Sequence, residues 1–144
     1  MSTLTFQPSL SLLEDRCVPA AFMFSQGTLT INMDEISNRT VNVSANAGRL
    51  IIQGRQTGGT NNYVVGAPGG RLDLYAVTGI VVNGSPQRDS INLSGVDTQF
   101  NNLNGRVLIN GNGGDDTING TQFDDQIYSG SGNDRVFGDR KSTR

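Results

Sequence analysis

Residues 111–137 read GNGGDDTIN, GTQFDDQIY, SGSGNDRVF: three successive nonapeptides, each with Asp two residues before an aliphatic residue. A unit of nine residues cannot bury an apolar face alone, so it has to stack on its own copies. Counting back in nines from Val136, the same register holds Ile127, Ile118, Ile109, Phe100, Ile91 and Val82. The apolar column outlasts the glycine motif and places the start of regular coiling near Val82. Strand side chains alternate, so Asn83, Asn92, Asn101, Asn110 and Asn119, each one residue past the column, point the opposite way. They serve as an outward amide ladder along the stack or as turn residues. With 19 glycines and 6% aromatic residues in 144, the chain is expected to be all-β and turn-dense.

The turns carry the chemistry. A Gly-rich turn of six residues exposes backbone carbonyls, and its last residue supplies a carboxylate. The short strand that follows sends one apolar side chain inward, and stacked turns then share hard cations between them. This arrangement resembles the GGxGxDxUx repeat of RTX (hemolysin-type) calcium-binding proteins. What that resemblance implies is a right-handed parallel β-roll with two nonapeptides per coil. The copies depart from the pattern in places: Thr121 and Phe123 stand at glycine positions in the second, and Ser129 at one in the third.

With two nonapeptides per coil, residues eighteen apart share a sheet and residues nine apart face each other. Val82, Phe100, Ile118 and Val136 then line one inner wall, and Ile91, Ile109 and Ile127 the other. The sixth position of successive turns holds Asp89, Thr98, Val107, Asp116, Asp125 and Asp134. In this register only Asp116 and Asp134 face one another across a shared edge, while Asp89 and Asp125 have no partner in step. The expectation is one Ca²⁺ site between turns 111–116 and 129–134. Asp116 and Asp134 are its carboxylate ligands, with backbone carbonyls at Gly111, Gly113, Gly114, Gly130 and Gly132. Glycine's access to positive φ would turn those carbonyls inward. Asp125 offers at most a weak second site, and Asp115 and Asp124 are solvated acids or outer ligands.

Composition excludes much else. The chain has no His, which removes Ser-His-Asp and Cys-His catalysis, HExxH metalloprotease chemistry and His-ligated zinc. Cys17 is the single cysteine, so no intrachain disulfide forms. Residues 111–134 hold five acids and no base, a segment suited to a hard cation and not to phosphate, so nucleic acid is excluded as a partner. Paired acids also serve glycoside hydrolysis, but that needs an apolar pocket to keep one of them protonated. These acids stand in polar glycine turns, so the chain is read as no enzyme.

Residues 1–20 are expected to be a leader or tail, and 21–81 an irregular β-strand or cap region ahead of the calcium-binding roll at 82–144. Within Ser11–Ala20, the residues Leu13, Glu14, Arg16, Pro19 and Ala20 resemble an LExRxxPA-type leader of large exported bacterial surface proteins. That resemblance implies export. No stretch approaches the ~20 apolar residues of a membrane span. Strand-like runs fall at 21–24, 28–33, 40–44, 49–53, 63–65, 71–75 and 79–83, with spacing too irregular for clean repeats. They predict either imperfect coils or a small antiparallel cap, since an open coil end leaves strand groups and core bare to water. The closing GDRKSTR starts another turn with no inward residue after it, as in a piece of a longer protein or a fraying last coil.

The sequence thus predicts calcium ion binding by a non-enzymatic, exported structural or adhesive module. Its site is extracellular or on the cell surface, and Ca²⁺ orders its C-terminal coils. Cell-surface glycans and other copies of the module are the further partners considered. The alternatives are the scaffold of a β-helical polysaccharide-active protein and a fragment of a larger adhesin.

Overall fold

A computed structural model describes residues 22–36, 39–55, 61–63, 74–103 and 106–138. The leader-like run at 11–20 and the strands expected at 64–65 and 71–73 lie outside these residues. Eleven strands are described. They are β1 (Phe22–Ser25), β2 (Thr28–Asn32), β3 (Thr40–Asn46), β4 (Arg49–Arg55), β5 (Asn61–Tyr63), β6 (Gly79–Asn83), β7 (Ser90–Gly95), β8 (Val107–Asn110), β9 (Thr117–Asn119), β10 (Asp125–Tyr128) and β11 (Arg135–Phe137). Only single 3₁₀ turns, Met33–Glu35 and Leu74–Ala76, interrupt them, so the all-β expectation holds for the described residues.

Two sheets form, in the orders β1-β2-β6-β8-β10 and β11-β9-β7-β3-β4-β5. Within the first, β2, β6, β8 and β10 run parallel, and within the second so do β3, β7, β9 and β11. Successive parallel strands therefore alternate between the sheets, as winding with one apolar residue per nonapeptide requires. A purely parallel roll is not what forms, however: both sheets are mixed. β1 pairs antiparallel with β2, and β4 joins β3 and β5 in the same sense. Two-residue turns make the β1–β2 and β3–β4 hairpins. Gln26-Gly27 and Ala47-Gly48 each take positive φ at both positions (50° and 82°, 50° and 74°), the twist that suits a tight hairpin. Antiparallel strands thus lie at the end of each sheet away from the repeats, next to β2 and β3. Parallel stacking also begins earlier than Val82, with Ile31 beside Val82 and Val41 beside Ile91.

Alternation explains which face each strand buries. In β2 the order is Thr28 out, Leu29 in, Thr30 out, Ile31 in, and β3 repeats it with Val41 and Val43. These side chains join Leu50, Ile52, Ile80, Val82, Ile91, Ile109, Ile118 and Ile127 in one hydrophobic cluster between the sheets.

The wall assignment from strict nines is corrected by one segment. Val82 stacks on Ile109, twenty-seven residues on, and Ile109 on Ile127, eighteen on. Ile91 likewise stacks on Ile118, and Ile118 on Val136. One lap carries an extra nonapeptide, and Phe100 lies in it. Past the end of β7 the chain makes three tight turns as far as Leu103 in place of a further strand: Val96 N–H donates to Leu93 O at 2.9 Å, Phe100 N–H to Asp97 O at 2.9 Å, and Leu103 N–H to Phe100 O at 3.0 Å. The Asp97 carboxylate accepts from Gln99 N–H at 2.9 Å, an Asx turn that competes with strand geometry. Phe100 keeps its place in the core but contributes no strand.

Candidate metal centre

The extra nonapeptide changes which carboxylates meet. Turns 84–89, 111–116 and 129–134 lead into β7, β9 and β11, neighbours in one sheet, so all three lie on the same edge. Asp116 Oδ1 accepts from Asp89 N–H at 2.8 Å, and Asp134 Oδ1 accepts from Asp116 N–H at 3.0 Å. Asp89, expected to stand alone, is therefore the first rung of an Asp89–Asp116–Asp134 column. The eighteen-residue relation of Asp116 to Asp134 is as the repeat predicts. Turn 120–125 leads into β10 on the other sheet, which sets Asp125 apart from that column.

Asp116 occupies the middle rung and is only 1% exposed. Its Oδ2 is buried without a hydrogen-bond partner. Burial first, then the charges of Asp89, Asp134 and Asp115, push its pKa up to about 6. Asp89 is raised as well, again chiefly by burial, against hydrogen bonds from Ser85 that favour its ionised form. A buried carboxylate oxygen with no donor costs free energy unless a proton or a cation supplies the missing charge.

The glycines hold the turns close. A Cβ on Gly111 would fall on Ser129 O and within 2.6 Å of Asp116 Oδ2, one on Gly130 would fall on Asn112 O, and one on Gly132 on Gly114 O. Gly114, Gly130 and Gly132 take positive φ (95°, 92° and 130°). Gly111 and Gly113 do not, so Gly111 is required for clearance and not for φ. The fourth left-handed residue of the two turns is Asn112 (φ 73°), at the same repeat position as Gly130, where the pattern has glycine; Asn is one of the few side chains that tolerate this region. Its Nδ2 donates to Gly84 O at 2.6 Å, tying turn 111–116 to the one before it. Gly113 bridges to Ser131 in parallel fashion, and Ser131 N–H donates to Asn112 O at 3.0 Å. Asp115 accepts from Asn133 N–H at 2.9 Å, so it braces the next turn.

Asp125 is placed differently. Its two oxygens accept from Thr121 N–H at 2.8 Å and Thr121 Oγ1–H at 2.5 Å. Among the described residues, no three His, Cys, Asp or Glu side chains gather in a group able to hold a metal. A cation on this edge would rest on the carboxylates of Asp116 and Asp134 and on backbone carbonyls, a donor set of hard oxygens that suits calcium.

Among the described residues no helix is long and apolar enough to cross a membrane. The chain has no match among curated proteins or among solved structures. Residues 110–140 match the family model of the RTX calcium-binding nonapeptide repeat (4 copies), so these coils carry RTX-type repeats, and the repeat implies calcium binding.

Proposed function

We propose that the chain is a non-enzymatic calcium-binding module, exported to the cell surface or beyond, whose C-terminal coils are ordered by Ca²⁺. The observation that carries this reading is the orphaned, buried Oδ2 of Asp116, set between two further carboxylates and beside glycine turns of the matched repeat. Asp116 and Asp134 would hold the ion, with carbonyls of Gly111, Gly113, Gly114, Gly130 and Gly132 completing its shell. Calcium would supply the positive charge that the unpartnered Oδ2 of Asp116 lacks. The division that follows is functional: a leader at 1–20, a cap at 21–81 and cation-ordered coils within 82–144, laid on the earlier parallel strands in a roll-like winding.

Extracellular calcium modules bind with Kd of about 10⁻⁴–10⁻³ M, so such a site fills outside the cell and is empty in the cytosol. Folding of the last coils would then follow export. Isothermal titration with calcium tests the site. The wild type should bind and Asp116→Ala should lose the tightest site; equal binding by both rejects it.

A further inference from the structure

Four described turns share one length, 84–89, 111–116, 120–125 and 129–134, and each ends in an aspartate. Their second residues are Ser85, Asn112, Thr121 and Gly130, and their fourth residues Gln87, Gly114, Phe123 and Gly132. The two turns with a hydroxyl at the second position lack glycine at the fourth. The two with glycine there lack the hydroxyl.

The hydroxyl turns are built alike. Ser85 N–H donates to Asp89 Oδ2 at 2.6 Å, and its Oγ lies 2.9 Å from Asp89 Oδ1, with Gln87 O at 3.2 Å as a second acceptor. Gln87 N–H then donates to Ser85 Oγ at 3.1 Å. Thr121 repeats the three bonds that join hydroxyl residue, carboxylate and turn: N–H and Oγ1–H to the two oxygens of Asp125, and Phe123 N–H to Thr121 Oγ1 at 3.0 Å. Both hydroxyl residues and both aspartates are buried. Each carboxylate therefore receives a donor on each oxygen, whereas Asp116 Oδ2 receives none. Hydrogens converging on a carboxylate neutralise it as a cation does, and they repel a cation brought to the same place.

We propose that Ser85 and Thr121 are staples that take the place of an ion, ordering turns 84–89 and 120–125 without metal. They confine calcium to turns 111–116 and 129–134. The residues at the second and fourth positions together, and not the aspartate at the sixth, decide which turn accepts a cation. The confinement rests on the calcium reading above; the metal-free ordering does not.

Amide hydrogen exchange on the full chain, in calcium-free buffer and in excess calcium, is the test. Phe123 and Gln87 amides should be equally protected in both conditions, while the amides of Asp116 and Asn133 should gain protection with calcium. Thr121→Val should speed exchange at Phe123 about tenfold, as loss of one buried hydrogen bond does, and leave calcium stoichiometry unchanged. Ser85→Ala should do the same at Gln87. Protection of Phe123 that arises only with calcium overturns the staple, as does a Thr121→Val variant that loses a bound ion. If the wild type takes up no calcium yet keeps Phe123 protected, the staple stands and the calcium reading falls.

Discussion

The two ends of the strand stack are held by different means. At the amino-terminal end Leu29, Ile31, Val41, Val43, Leu50 and Ile52 are all buried, and two hairpins close the sheets over them. At the carboxy-terminal end β9 and β11 are three residues long, Val136 is only partly buried, and Tyr128 and Phe137 are 59% and 58% exposed. Hydrophobic burial secures the first end. The second depends on backbone ladders and on how the charge of its polar turns is satisfied.

The largest expected effect tests the first half of that contrast. Leu29→Ala should cost about 2–5 kcal/mol, because the rigid surroundings cannot collapse on the void. Urea unfolding followed by circular dichroism reads it, and a cost no larger than that of Val136→Ala would break the contrast. Next comes calcium. At a hundred times Kd it should add about 2.7 kcal/mol to the carboxy-terminal coils, seen as a raised melting temperature in wild type and not in Asp116→Ala. An identical rise in both would remove the ion from the account of the second end.

Gly111→Ala should cost about 1–3 kcal/mol, the range for overpacking. Its Cβ meets backbone oxygen of Ser129, which has no rotamer to escape into. A melting temperature equal to wild type would contradict the close nesting of these turns. The last effect is on pH. Asp116 titrates at about 6 when folded and near an ordinary carboxylate value of about 3.9 when unfolded. The folded state thus binds the proton more tightly. Without calcium, stability should be greatest below about pH 4 and fall as pH rises through about 6. Calcium competes with that proton, so its affinity should rise over the same window. Urea midpoints in calcium-free buffer at either end of the window check the sign, and a rise in stability with pH would reverse it.

Much of this was legible in the chain. Inward positions at Val82, Ile91, Ile109, Ile118 and Ile127 follow from a count of nines, because one apolar residue per short strand is what a stack can bury. The lap length was not legible. Phe100 satisfies the count and is fully buried, yet an Asx turn at Asp97 holds its segment out of strand form. That moved Asp89 onto the edge of Asp116, a neighbour no fixed period reveals. The hairpins were open to reading at Gly27 and Gly48, but Gln26 and Ala47 carry no signal for the positive φ they adopt. In the candidate site, the Asp116–Asp134 relation was readable from spacing. The role of Ser85 and Thr121 was not, since it lies in hydroxyl donors four residues ahead of an acid and not in the glycine pattern.

The outward asparagines bear on a different problem. Asn110 Nδ2 lies 3.4 Å from Asn83 Oδ1, and Asn83 Nδ2 donates to Asn32 Oδ1 at 3.1 Å. A slip of two residues between neighbouring strands keeps every apolar side chain facing inward, so alternation alone cannot forbid it. Such a slip would, however, uncouple the amides from one another. The row of carboxamides acts as a vernier that distinguishes the native alignment from its nearest look-alike. It stops where Tyr128 replaces asparagine, and from that coil onward the alignment must be fixed by the turns themselves.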